Sequence, residues 1–213
     1  MSVLMERSGA DRVLTMDLHA PQIQGFFEIP VDHLISDSVF HSFAQDYQSD
    51  NDMVIVSPDV GGVKRIEKVA DVLGASLAII HNKRNEPNQA EALDIIGDVD
   101  GKTAILRDDI IDTGGTLAKA AALVRQRGAR KVLAFCTHPI LSGNAADNII
   151  NSTIEVLSVT DTVPIAQDVE NRLKNSGKLQ KLSVAHLFCE AIDSIHHERS
   201  VSNLYGKENY LNF

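Results

Sequence analysis

The sequence predicts an α/β fold: a mainly parallel sheet covered by helices on both faces. Three observations carry this. Short apolar runs such as 53–57, 77–81 and 103–106 alternate along the chain with longer segments of helix formers. The runs are continuously apolar instead of alternating, as expected for strands buried on both faces. Glycines at 74 and 128 close the intervening helical segments.

Taken in order, Met1 to Ala10 reads as the end of a helix closed by Gly9. Arg12 to His19 is a strand that ends in polar groups, and Pro21 to Pro30 is a loop holding Phe26 and Phe27. Ser36 to Tyr47 has helical spacing, with Val39, Phe40, Phe43 and Tyr47 on one side. Met53 to Ser57 is a buried-type strand that runs through Pro58-Asp59-Val60-Gly61-Gly62 into a helix over Val63 to Leu73. Leu77 to His81 is a strand, Asn82 to Gln89 a polar loop containing Pro87, and Glu91 to Ile96 a further strand. Thr103 to Leu106 is a strand, Asp108 to Gly115 an acidic and then glycine-rich loop, and Thr116 to Arg127 a helix. Lys131 to Phe135 and Ile154 to Val159 are strands, with Ser142 to Ile149 helical between them. A short strand at Leu182 to Val184 leads into a helix to His197, and Ser200 to Phe213 is a polar tail.

Composition narrows the function. The length suits one or two small α/β domains. The net charge of −9 (20 − 29) without a basic run argues against nucleic acid or an anionic membrane as partner. Cys136 and Cys189 are too few for a disulfide framework, and Cys136 sits in an apolar run as a buried thiol. Neither a signal peptide nor a membrane-spanning run is visible, so a cytoplasmic location is the default expectation.

The stretch from Asp108 to Thr116 concentrates the chemistry. A helix entrance offers unpaired backbone N–H groups and the positive end of a dipole, which together bind phosphate. Gly114 and Gly115 allow close backbone approach, and Thr113 and Thr116 add hydroxyl donors. Asp108 and Asp109 cannot help to bind phosphate; they suit sugar hydroxyls or a divalent cation. The predicted ligand therefore carries a phosphate at one end and a diol at the other, and a sugar phosphate fits.

Other candidates lie at predicted strand ends. His19 follows the first strand, and taken alone a lone histidine is more often structural. Asp59 precedes a glycine pair at a helix entrance, where it either caps the helix or holds a metal over bound phosphates. Lys83 and Arg84 sit in a polar loop, as solvated cations or as a clamp on a polyphosphate in transfer. In open sheets ligands bind beyond the carboxyl ends of strands. His19, Asp59, Lys83 and the Asp108 loop all fall there.

Together these motifs resemble the ribose-phosphate diphosphokinase family, whose sheet is of the phosphoribosyltransferase type. Asp17-Leu18-His19 with Gln22 to Phe27, Ser57 to Arg65, Lys83, Asp108 to Thr116 and Ser200-Val201-Ser202 match its segments in order over nearly the whole chain. The resemblance implies transfer of the diphosphate of ATP to the 1-hydroxyl of ribose 5-phosphate, giving phosphoribosyl diphosphate (PRPP) and AMP. It implies that His19 and Asp59 hold Mg²⁺ with the ATP phosphates and that Lys83, with Arg84, stabilises the transition state. Asp108, Asp109, Asp112, Thr113, Gly114, Gly115 and Thr116 would bind ribose 5-phosphate. Ser200 and Ser202 match positions near an allosteric phosphate site. The resemblance also implies a homo-oligomer, hexameric in the family, with phosphate or ADP as effectors.

Two departures stand out. The family's catalytic loop is usually Lys-Arg-Arg, whereas here Lys83-Arg84-Asn85 is followed by Glu86 in a loop one residue shorter. The adenine-binding segments of the family's N-terminal half are not found. Residues 1–30 therefore read as a remnant of that half and 31–213 as the C-terminal domain with its tail. The expectation is a chain that holds ribose 5-phosphate but does not by itself make PRPP. A non-catalytic associated subunit and a phosphoribosyltransferase are the alternative readings.

Overall fold

The computed structural model describes residues 1–47, 52–83 and 92–205. The chain packs as two compact units, one of residues 40–183 and one of 1–39 with 184–213.

The larger unit is built on a seven-stranded sheet of order β5-β4-β3-β6-β7-β8-β9. Its strands are β3 (Met53–Ser57), β4 (Ser76–Lys83), β5 (Ala92–Ile96), β6 (Thr103–Ile111), β7 (Lys131–Pro139), β8 (Val156–Thr160) and β9 (Leu179–Leu182). All neighbours pair in parallel except β5, which runs antiparallel to β4 at the edge. The predicted sheet class is thus observed, with an antiparallel edge strand of the kind common on large parallel sheets.

Pleating divides the core. Val54, Val56, Ala104, Leu106, Val132, Ala134 and Cys136 point to one face. They pack there with Leu117, Ala120, Ala121 and Val124 of α4 (Gly115–Gln126). Burial raises the Cys136 thiol well above its ordinary value, so it behaves as an inert apolar group. On the other face Phe135 meets Phe40 and Phe43 of α2 (Asp37–Gln45) at ring-centre distances of 5.1 and 6.1 Å. Arg107 lies over the Phe40 ring at 4.7 Å. Helices α3 (Val63–Leu73), α5 (Ala145–Ile150) and α6 (Gln167–Asn175) complete the layers.

The chain leaves the middle of this sheet in two directions. From β3 it crosses through α3 to β4 on one side, and from β6 through α4 to β7 on the other. Right-handed crossovers then put α3 and α4 on opposite faces. A crevice opens between them beyond the carboxyl ends of β3 and β6.

The smaller unit contains α1 (Ser2–Arg7), β1 (Val13–Met16), β2 (Val31–Leu34) and α7 (Ala185–His196), with 3₁₀ turns at Pro21–Phe26 and Val201–Tyr205. β1 and β2 form a separate two-stranded parallel sheet. Arg12 pairs with Asp32 across it at 2.5 Å. Ile35 N–H donates to the Tyr205 hydroxyl at 2.9 Å, which holds the C-terminal turn within this unit.

Several expectations change. A boundary at residue 30 would separate β1 from β2, which pair from Val13↔Val31 to Met16↔Leu34. The Pro21–Pro30 loop contains a 3₁₀ turn, and β2 and α6 were not foreseen. The mean hydropathy of α6 is low, and only Val169, Glu170 and Leu173 are buried on it, too few to signal a helix. Among the described residues no helix is long and apolar enough to cross a membrane.

Candidate functional site

The site is assembled at the crevice of the larger unit. β6 is longer than the sequence suggests: it continues through Ile111, pairing with β7 as far as Ile111↔Pro139. Asp108 and Asp109 are therefore strand residues and not loop residues. The ladder with β7 draws them in, because pairing continues on both sides of Asp109, from Asp108↔Cys136 to Ile110↔His138. Although adjacent along the strand, the two carboxylates lie close enough to interact directly. Asp109 is 7% exposed, and Asp108 is half-buried.

Their proximity has an electrostatic result. Burial, reinforced by the charge of Asp109 and more weakly by that of Asp59, pushes the Asp108 carboxyl up to about 7. Asp59 is thus electrostatically coupled to Asp108 across the crevice, although the residues are far apart in sequence. The N–H of Asp109 donates to Asp108 Oδ1 at 2.9 Å and stabilises the charged form in part.

After Ile111 the backbone turns through Asp112, Thr113 and Gly114 into α4. Gly114 lies at φ 72°, a conformation that glycine adopts without strain. A Cβ there would come within 3.3 Å of Ile149. Gly115 is different: a Cβ would make ordinary contacts, with Thr113 Oγ1 at 3.8 Å and Asn148 Nδ2 at 3.9 Å, so packing does not exclude a side chain there. No side chain caps α4. Asp112, which could have done so, accepts a hydrogen bond from the Ser142 hydroxyl instead. Asp112, Thr113 and Thr116 are exposed. Among the described residues no acceptor meets the backbone N–H groups of Thr113 to Thr116. The entrance is therefore open to an anion.

Asp59 follows β3 on the other side of the crevice. Its Oδ1 accepts the N–H of Gly62 at 2.8 Å, and its carbonyl accepts the Ser57 hydroxyl at 2.7 Å. The carboxylate thus closes the turn before α3, while its exposed position leaves it accessible to a further ligand. Lys83 is the last residue of β4 and pairs with Ala92. It belongs to the strand adjacent to β3, not to a loop, while Arg84 lies outside the described residues. β4, β3 and β6 are neighbours. The structure therefore brings the backbone positions of Lys83, Asp59 and the 112–116 loop to one edge of one sheet.

The remaining predicted residues belong to the smaller unit. His19 is exposed and follows β1 of the separate two-stranded sheet, so it is not carried on the large sheet as the strand order suggested. Ser200 and Ser202 are exposed, with their hydroxyls 2.6 Å apart. Residues that the sequence reading passed over are Ser142 and Asn148, which bond to the Asp112–Thr113 turn from the far side of β7. Their separation from the loop in sequence gave no signal.

Comparisons with known proteins show the family of the chain. A family model described as phosphoribosyl synthetase-associated domain matches residues 84–206. The ribose-phosphate pyrophosphokinase of Oceanobacillus iheyensis is 50% identical over 202 residues, covering 95% of this chain and 62% of the relative. That of Bacillus subtilis is 48% identical over 203 residues, with the same coverage. The crystal structure of phosphoribosylpyrophosphate synthetase from Mycobacterium smegmatis matches with a TM-score of 0.81 and 40% identity, over 92% of this chain and 62% of that one. The chain thus spans 62% of the length of these relatives. With a family model matching more than half of it, the chain belongs to the phosphoribosyl synthetase-associated domain family.

Proposed function

We propose that the protein is a ribose-phosphate diphosphokinase, which moves the β,γ-diphosphate of ATP onto the 1-hydroxyl of ribose 5-phosphate and leaves AMP. The observation that carries this is the pairing of an uncapped α4 entrance with two carboxylates on the strand leading into it. The entrance binds the 5-phosphate through the N–H groups of Thr113 to Thr116 and the hydroxyls of Thr113 and Thr116. Asp108 and Asp109 accept hydrogen bonds from the ribose hydroxyls. This fixes the sugar over the carboxyl end of β6, with its reactive hydroxyl toward the β3 and β4 edge. The relatives' names support the reading and disfavour a non-catalytic role.

Lys83, at the end of β4, and Arg84 beyond it supply positive charge to the transferring diphosphate, where fixed cations stabilise developing charge. Asp59 suits Mg²⁺. It offers a hard oxygen donor at an exposed position, and its bond to Gly62 fixes the orientation of the carboxylate. Among the described residues no three acidic, His or Cys side chains form a cage by themselves, so the ion would be shared with phosphate oxygens and water. When bound, Mg²⁺ neutralises charge on the polyphosphate. A cytoplasmic, homo-oligomeric enzyme, with phosphate or ADP acting near Ser200 and Ser202, completes the proposal.

The test is calorimetric titration of the chain with ribose 5-phosphate, with ribose as comparator. Binding that depends on the 5-phosphate is expected; no binding overturns the assignment of the loop. Any turnover with ATP, Mg²⁺ and ribose 5-phosphate should release AMP with PRPP. Release of ADP would mean simple phosphoryl transfer instead.

A further inference from the structure

We propose that the segment from Leu141 to Asn148 is the mould of the phosphate loop, and that Asn148 and Ser142 are positioning residues for it. The inference rests on the reading of Thr113 to Thr116 as the ribose-phosphate site. It concerns residues outside that loop.

The argument is one of peptide geometry. Three successive carbonyls at the end of β6 are tied to this segment. Ile111 O accepts from Leu141 N–H at 3.1 Å, and Asp112 O from Ser142 N–H at 3.1 Å. Thr113 O accepts from Asn148 Nδ2 at 2.8 Å. A trans peptide is planar, with its C=O and the following N–H pointing in opposite directions. Drawing the carbonyls of Asp112 and Thr113 toward the Leu141–Asn148 segment therefore turns the N–H groups of Thr113 and Gly114 the other way. Only the amide nitrogen of Asn148 can donate, so its orientation is determined by the carbonyl it meets.

Two further features belong to the same mould. The Ser142 hydroxyl donates to the Asp112 carboxylate, which keeps a negative charge from capping α4 and competing with phosphate. Ile149 lies against Gly114 and leaves it no room for a side chain. The mould is itself held in an uncommon conformation: Leu141 is buried at φ 50°, where a leucine is strained. Its N–H bond to Ile111 and the packing of its side chain in the core offset that strain. A helix entrance ordinarily takes its shape from its own N-cap residue. Here α4 takes it from the following strand–helix connection.

The test uses the full chain and the variants Asn148→Leu, which keeps the shape but removes the donor, and Ser142→Ala. Affinity for ribose 5-phosphate is measured by calorimetry, the unfolding midpoint by denaturant titration, and the Thr113 and Gly114 amides by ¹H–¹⁵N spectra during ligand addition. Asn148→Leu is expected to weaken binding about tenfold, the loss of roughly one well-placed contact. Its midpoint should stay near that of the parent, and the ligand-induced amide shifts should shrink. Ser142→Ala is expected to weaken binding about threefold, which keeps the proposal testable should Asn148→Leu fail to fold. Parent-like affinity in both variants overturns the mould alone. So does weaker binding that only follows a lowered midpoint, with the amide shifts intact. A parent chain that binds no ribose 5-phosphate overturns the site reading and this role with it.

Discussion

Two turns of the larger unit share one sequence pattern, an aspartate two residues before paired glycines at a helix entrance. At β3–α3 the aspartate folds back within its own turn: Asp59 Oδ1 accepts the N–H of Gly62, the residue before α3, although no side chain caps the helix itself. At β6–α4 the aspartate is turned aside by Ser142, and the entrance stays open. The glycines differ accordingly. A Cβ at Gly62 would stand 2.5 Å from Ser57 Oγ, so packing disfavours a side chain there, while one at Gly115 would make only ordinary contacts with Thr113 and Asn148. The pattern alone does not fix where the aspartate goes: one carboxylate is bound within its own turn, the other is drawn to Ser142.

The largest expected effect separates the two turns by function. Gly115→Val should lower ribose 5-phosphate affinity by about a hundredfold, because blocking the backbone removes one or two charge-assisted bonds. The fold should persist, since space is available. Equal calorimetric affinity in parent and variant would erase the distinction between the turns.

The converse substitution tests the closed turn. Gly62→Ala should cost about 2 kcal/mol of stability through overpacking against Ser57, read as a shifted denaturant midpoint. Its affinity for ribose 5-phosphate should change little. A large loss of affinity at unchanged stability would make the closed turn part of the sugar site.

A third experiment uses the raised Asp108. Its folded pKa of about 7 lies above the ordinary 3.8, so the folded state prefers the protonated acid. The stabilising contribution is complete below pH 4 and is lost as pH rises through about 7. Asp108→Asn, which cannot ionise, should therefore gain stability over the parent, both ligand-free, as pH rises from 4 to 8. Parallel pH profiles for the two proteins would show that Asp108 is not shifted.

The smallest effect links the turns. Asp59→Asn keeps an oxygen acceptor for the Gly62 N–H, because the asparagine carbonyl accepts as the carboxylate does. Removing the charge should lower the Asp108 pKa by only a few tenths, since Asp59 is the weakest of its causes. Carbon-13 titration of the Asp108 carboxyl measures this, and a drop of a full unit would make Asp59 the dominant neighbour.

Much of the larger unit is legible in its residues. The continuous apolar runs at Met53–Ser57 and Lys131–Phe135 are strands, and the helix over Val63–Leu73 stops at Gly74, which adopts φ 64°. Strand ends were harder. β6 passes through Arg107, Asp108 and Asp109, charged residues that read as a loop, because pairing with β7 and the burial of Arg107 over Phe40 override their local preference. β2 was hidden for a related reason: Val31-Asp32-His33-Leu34 becomes a strand only by pairing with β1.

For this protein the sequence by itself determined most of the order of strands and helices, the glycine pair at 114 and 115, and the acidic pair before them. These follow from local rules, such as backbone freedom, helix propensity and hydrophobic runs, that operate within a few residues. Tertiary structure alone decided the rest. It set β3 beside β6 so that Asp59 is felt at Asp108. It also brought Leu141, Ser142 and Asn148 behind the phosphate loop to turn its N–H groups outward. Such contacts join residues that are distant along the chain, and no spacing within a segment encodes them.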